Sequence, residues 1–512
     1  MSPIRPAAVV VLAAGEGTRM RSRTTPKVLH ALAGRAMVGH VVEAARRLDP
    51  EDLIVVVGHG RDKVTGYLSA LDPAARVVVQ EEQNGTGHAV RVALRGLADD
   101  DREPDGVVLV TCGDTPLLTA ESLGALVETH TREGNAVTVL SAVVPDPAGY
   151  GRIVRENTPD GRGSVTAIVE HKDATAAQRA ITEINSGVYA FDGKLLRDAL
   201  GRITAHNSQG EEYLTDTLHV LREAGHRVGA TAAADHREIL GVNDRVQLAQ
   251  ARRVFNDRLV EAAMRAGVTV VDPATTWIDV DVTFEQDAVL HPNTQLHGAT
   301  SIAAEAEVGP NCTLRDTTVG AGAHVYNTTS DGAEIGPEAT VGPYTYLRPG
   351  TRLARGAKAG GFVEMKNADL GAGSKVPHLS YVGDATIGEG VNIGAATIFV
   401  NYDGVDKHHT IVGDHARVGS DTMLIAPVEI GDGAYTAAGS AITEDVPPGA
   451  MAVARGRQRN VEGWVVRKRE GTASAQAAER ALARARGGAG DVLSTAGPND
   501  GSAEANGKET VQ

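Results

Sequence analysis

L-H-P-N-T-Q-L-H-G-A-T-S-I-A-A-E-A-E-V-G-P-N-C-T-L, residues 290–314, sets Leu290, Leu296, Ile302, Val308 and Leu314 six residues apart. Six matches neither the helical period of 3.6 nor the two-residue alternation of an ordinary strand. It is the hexapeptide signal of a parallel β-helix, in which each repeat supplies one inward aliphatic side chain and one turn. The register returns in three further blocks: Ile335, Val341, Leu347 and Leu353; Leu370, Val376 and Val382; Val412, Val418, Leu424 and Ile430. Glycine often follows, as in Val308-Gly309, Ile335-Gly336 and Val418-Gly419, and this explains why the chain has 59 glycines but only 3% aromatics. One stretch, I-F-V-N-Y-D-G-V-D-K-H-H at 398–409, breaks the period with polar residues. A loop protruding from a solenoid is either a binding element or a neutral insertion.

Upstream, residues 243–266 space Val246, Leu248, Ala251, Val254, Phe255 and Leu259 along a helix that stops at Gly267. Before it, apolar runs at 7–12, 53–57, 76–79, 107–111 and 136–144 alternate with helix-like segments. That alternation predicts a mainly parallel sheet covered by helices on both faces. Beyond about 470 the chain is rich in Ala, Gly, Ser and Glu with few large apolar residues, which reads as disorder with a transient helix near 477–486. The expected fold class is therefore α/β, a Rossmann-like domain followed by a left-handed parallel β-helix. Its expected boundaries are 1–241, a linker helix over 242–266, the β-helix over 267–469 and a disordered tail over 470–512.

The formal net charge of −15 argues against nucleic-acid or anionic-membrane partners, which reward clustered Lys and Arg. Small anionic substrates remain compatible, because they meet only the local field of a pocket. Two distant cysteines, Cys112 and Cys312, fit a reducing cytosol better than a disulfide-stapled secreted fold. The chain opens on no charged-then-apolar signal, and no apolar run reaches the roughly 18 residues of a membrane span. A cytoplasmic location is expected.

The chemistry begins with A-A-V-V-V-L-A-A-G-E-G-T-R-M-R-S-R-T-T-P-K-V-L at 7–29. An apolar strand ends in a loop holding Gly15, Gly17, Thr18 and Arg19, and Lys27 follows. Such a loop closes backbone N–H groups on phosphate oxygens, or simply makes a tight strand–helix connection. Met20 stands where a dinucleotide fingerprint needs its third glycine, and Gly17 is followed by Thr18-Arg19 where a P-loop needs Lys-Ser/Thr. Q-E-E-Q-N-G-T-G-H-A at 80–89 offers amide and hydroxyl groups suited to a base edge; its plainer reading is a helix start capped by Thr86. Asp114, after Cys112-Gly113 at a strand end, suits Mg²⁺ bridging phosphate oxygens, or caps the next helix. Asn243 is either a second oxygen ligand or a turn residue.

With G-Y-G-R-I at 149–153, V-E-H-K-D-A at 169–174 and E-I-N-S-G at 183–187, the strand–G-x-G-T-R-M–P-K arrangement resembles the sugar-nucleotide pyrophosphorylases. More closely, residues 7–465 resemble the bacterial bifunctional N-acetylglucosamine-1-phosphate uridyltransferase/glucosamine-1-phosphate acetyltransferases. The resemblance implies UTP contacts at Leu12, Ala13, Ala14, Gly15, Lys27, Gln80, Gly85 and Thr86, with Gly113 lining that pocket. It implies N-acetylglucosamine contacts at Gly151, Glu170 and Asn185, Mg²⁺ at Asp114 and Asn243, and pyrophosphate charge met by Arg19.

In the second half the resemblance makes His378 a general base, although a lone histidine is otherwise most often structural. Arg348, Lys366, Tyr381 and Asn392 would hold the amino-sugar phosphate. Ala395, Asn401, Tyr402, Ser420, Ala438 and Arg455 would take acetyl-CoA, with Arg457 a rival to Arg455. Ala396 stands where many relatives have glycine. Acyl-transfer sites between neighbouring β-helices imply a homotrimer. Two competing readings are a monofunctional nucleotidyltransferase with a scaffold β-helix, and a zinc hydratase using His378, His408, His409 and His415.

Overall fold

Every aliphatic residue of the six-residue register is buried in one continuous core. The computed structural model describes residues 4–98, 104–156, 164–205 and 210–488. From Thr269–Val270 to Met451–Ala452, short strands pair in parallel with strands one coil away, in a left-handed parallel β-helix. A full coil is three hexapeptides, 18 residues from Val289 to Glu307. His324 to Thr340 takes only 16 and Leu353 to Leu370 takes 17, and such shortened coils break the sequence register into separate blocks. Asn392 to Arg417 takes 25, because the 398–409 excursion enlarges the coil. Within it Tyr402 pairs antiparallel with Lys407, a small hairpin standing off the solenoid.

The first half is a mixed sheet in the order Val228–Ala232, Val137–Val143, Glu183–Asp192, Val107–Cys112, Ala8–Ala13, Asp52–Val57, Arg76–Val79. Only Glu183–Asp192 runs against its neighbours along this path. Alternate residues of the central strand face opposite cores, as the two-residue strand period requires. Ala8 and Val10 pack with helix Thr86–Ala98, and Val9 and Val11 with helices Met37–Arg46 and Ala120–Glu133.

Helix Arg245–Arg265 serves two cores in turn. Its first turns place Leu248 and Ala251 against Met20, Leu32, Met37 and Leu117 of the first half. Its last turns place Val260 and Ala263 in the β-helix core. Asp244 caps its start, accepting from the Val246 and Gln247 N–H groups. Val246, expected on the apolar face, is instead 68% exposed. A hairpin at 31–36 also meets the first coil: the Val280 N–H donates to the Ala33 carbonyl at 3.1 Å, and Arg35 Nη2 to Asp281 Oδ1 at 2.8 Å.

The described residues from Ala454 on cluster as a unit of their own. Ala473–Gly488 is helical, as its alanines and arginines favour, and spans the stretch 477–486 where a transient helix is expected. Residues 489–512 lie outside the described part. No described helix is long and apolar enough to cross a membrane.

Candidate functional site

The first cluster forms at the carboxyl end of strands Ala8–Ala13 and Val107–Cys112, where ligands of such sheets sit. The loop after the first strand needs glycine at 17: φ is 64°, and a Cβ there would lie 2.4 Å from Lys27 Cβ. Lys27 thereby passes close under the loop. Its Nζ donates to Asp114 Oδ2 at 2.5 Å and to Asn243 Oδ1 at 2.8 Å. Asn243 is brought alongside because the Val242 N–H donates to the Asp114 carbonyl at 2.9 Å. Arg19 Nη2 also donates to Asn243 Oδ1, at 2.9 Å. Two oxygen donors thus face one cationic point, a set that fits a magnesium ion whose remaining ligands are phosphate and water.

A cavity of about 310 Å³ opens beside them, lined by Leu12, Ala13, Ala14, Gly15, Lys27, Gln80, Gly85, Thr86 and Asp114 among others. Gly113, absent from that wall, sits behind it, its N–H donating to the Leu12 carbonyl at 2.8 Å. Buried Gln80 donates to the Gly85 carbonyl at 3.2 Å, tying the two ends of the second glycine loop. A second cavity, about 380 Å³, shares Leu12, Thr86 and Cys112 with the first and holds Glu170 and Asn185. Tyr189 OH, buried, bonds the Asn185 amide at 2.9 Å. Gly151 accepts from the Asn185 N–H at 2.9 Å, and a Cβ on it would lie 3.3 Å from Glu170 Oε1. Burial, and then the Asp114 charge, push the Cys112 thiol up to about 12. It stays protonated at the junction of the two cavities and is no nucleophile.

The second cluster lies along one corner of the β-helix. His378 is exposed, and one coil on the Ala396 N–H donates to its carbonyl at 3.2 Å. One coil on, the Asp421 N–H donates to the Ala395 carbonyl at 2.7 Å, and next the Gly439 N–H to Ser420 at 2.8 Å. His378, Ala395, Ser420 and Ala438 therefore occupy equivalent corner positions in successive coils. Around the corner Tyr381 pairs in register with Glu364, and Lys366 with Gly383. Arg348 Nη1 donates to Glu364 Oε1 at 2.9 Å. Repulsion from Lys407, with Arg348 adding, holds Lys366 below the ordinary lysine range, so these cations crowd one another. Asn392 is in register with Lys375, on the strand that carries His378. Asn401 is buried and donates to Asp384 Oδ2 at 2.5 Å, while Tyr402 is exposed on the hairpin. Arg455 and Arg457 are exposed and belong to the unit that begins at Ala454.

The histidines of the hydratase reading engage separate partners: His408 with Asp403, His409 with Thr386, His415 with Glu389. Among the described residues no three His, Cys, Asp or Glu side chains form a metal-holding group.

Sequence reading missed Gln83, whose Nε2 donates to the Ala14 carbonyl at 2.9 Å on the first cavity's wall. It also missed Lys407 beside Lys366, and Gly383, where a Cβ would meet Tyr381 OH at 2.5 Å and Asn401 Nδ2 at 2.6 Å. Gly383 follows register residue Val382 as glycine often does in this chain, so nothing local pointed to what approaches it.

Residues 9–176 match the family model described as the MobA-like NTP transferase domain. The chain is 67% identical over 479 residues to "Bifunctional protein GlmU" of Streptomyces coelicolor, covering 94% of this chain and 98% of that one. It is 67% identical over 487 residues to the protein of that name from Streptomyces avermitilis, covering 95% and 100%. With that of Thermobifida fusca the identity is 62% over 484 residues, covering 94% and 99%.

Proposed function

The chain belongs to the GlmU family of bifunctional proteins, and on that premise we propose how its two clusters divide the work. The protein acetylates glucosamine 1-phosphate from acetyl-CoA and transfers UMP from UTP to N-acetylglucosamine 1-phosphate. The products of the second reaction are pyrophosphate and UDP-N-acetylglucosamine for cell-wall synthesis. Residues 1–241 carry uridyl transfer and 267–469 acetyl transfer, with 242–266 joining them.

The observation that carries the first assignment is the convergence of Lys27, Asp114 and Asn243 below the glycine loop. UTP takes the cavity of Leu12, Ala13, Ala14, Gly15, Gln80, Gly85 and Thr86, backed by Gly113. The sugar phosphate takes the cavity beside Gly151, Glu170 and Asn185. A phosphate oxygen of the sugar attacks the α-phosphorus in line, and pyrophosphate leaves. Lys27, Arg19 and the loop N–H groups meet the charge that develops, so positioning and electrostatics carry the step. Asp114 and Asn243 hold Mg²⁺, which when bound offsets charge on the phosphate oxygens.

In the second site Arg348, Lys366 and Lys407 hold the phosphate of glucosamine 1-phosphate, and Tyr381 and Asn392 its sugar. His378 removes a proton from the amino group as that nitrogen attacks the thioester carbonyl, and coenzyme A leaves as its thiolate. Ala395, Ser420, Ala438, Asn401 and Tyr402 take acetyl-CoA. The active assembly is a homotrimer: Tyr344, Phe362 and Leu379, each about 60% exposed, form an apolar ridge on the same corner that a second copy would cover. A cytoplasmic location suits UTP and acetyl-CoA as substrates.

The test is acetyl-CoA consumption with glucosamine 1-phosphate beside UTP-dependent pyrophosphate release with N-acetylglucosamine 1-phosphate. His378→Ala is expected to lower the first by at least about 100-fold and leave the second unchanged, as befits loss of a general base. Lys27→Ala is expected to do the reverse. Normal acetylation by His378→Ala overturns that assignment.

A further inference from the structure

Arg152 is among the largest fully buried side chains of the described residues, 1% exposed, and no carboxylate among them pairs with it. Its Nη1 donates to the Tyr150 carbonyl, and its Nη2 to the Arg179 carbonyl at 3.5 Å. The remaining contact is Nη2 to His171 Nδ1, at 3.3 Å. His171 in turn lines the 380 Å³ cavity together with Glu170, Asn185 and Tyr213. A buried guanidinium spent on carbonyls and one imidazole is costly, and so is informative about what it holds in place.

Guanidinium donates and never accepts. The imidazole nitrogen facing it must therefore be the unprotonated one, and a neutral ring then carries its proton on Nε2. Nδ1 is engaged by the buried arginine, which leaves Nε2 as the ring nitrogen that His171 can offer to the cavity it lines. We propose that Arg152 fixes His171 in the Nε2–H tautomer, making His171 a hydrogen-bond donor to a hydroxyl or acetamido oxygen of the bound sugar. This rests on the reading of the cavity as the sugar site. Arg152 is a positioning residue, and His171 the group that touches substrate. Lys172 and Asp173 line the same wall but lie outside the Arg152 contact.

The test uses the full chain. His171→Phe is expected to raise KM for N-acetylglucosamine 1-phosphate about tenfold, the value of one neutral hydrogen bond. KM for UTP and kcat stay within about twofold on the same grounds. His171→Gln, which keeps a donor, recovers part of the loss. ¹⁵N-histidine spectra of wild type are expected to give His171 as the Nε2–H tautomer alone. Arg152→Met gives a mixture and a raised sugar KM, and Arg152→Lys, which keeps a donor, restores both. Unchanged KM in His171→Phe, or an Nδ1–H tautomer in wild type, overturns the proposal. Should wild type fail to use N-acetylglucosamine 1-phosphate at all, the reading of the cavity falls, while the tautomer result still decides the role of Arg152.

Discussion

Ala396 sits at φ 60°, in the left-handed region, at the corner following Ala395. The equivalent corner one coil on holds Asp421 at 56°, and the next holds Gly439 at 73°. A Cβ in this conformation crowds the next carbonyl and costs about 1 kcal/mol relative to glycine. Ala396→Gly is therefore expected to stabilise the β-helix by about 1 kcal/mol, seen as a higher denaturant midpoint with an unchanged m-value. A lower midpoint would mean the alanine methyl is making contacts worth more than the conformational cost. At this scale the sequence shows which residue departs from glycine, but the backbone angle that gives the departure meaning belongs to the coil.

His40 ties two elements together. Its Nε2 bonds the Leu32 carbonyl at 2.8 Å, and its ring packs 4.6 Å from Phe255 of helix Arg245–Arg265. Burial, partly opposed by that carbonyl, holds the imidazole down at about 4. The folded state thus favours the neutral ring. Its contribution is fully present above pH ~6.5, the unfolded value, and is lost as pH falls toward 4. Up to ~3 kcal/mol is at stake between those limits, at 1.36 kcal/mol per pKa unit. Thermal unfolding followed from pH 7 to 4.5 is expected to fall less steeply for His40→Leu than for wild type. Parallel slopes would place the acid sensitivity elsewhere, with His30 the first candidate, since burial and Arg245 lower it too.

Over the whole molecule, helix Arg245–Arg265 is shared property: one end belongs to the nucleotidyltransferase core and the other caps the coil with Val260 and Ala263. A fragment beginning at Arg245 is expected to unfold cooperatively. One beginning at Gly267 loses that cap and about 3 kcal/mol, by the apolar coil surface that Val260 and Ala263 cover. Circular dichroism melts of the two fragments decide it, and equal midpoints would make the helix a mere tether. The sequence by itself determined the two architectures and the connecting helix, because both rest on periods of two to six residues that one strand or turn enforces locally. It also marked the glycine loop and Asp114 as candidates at strand ends, whereas His378 was singled out only by family resemblance. Tertiary structure alone decided the rest. Lys407 reaches Lys366 only through the enlarged coil, Asn243 reaches Lys27 across 216 residues, and Arg152 meets His171 only once two strands pair. Those contacts depend on coil length, strand register and burial, which are properties of the packed chain and leave no periodic trace in it.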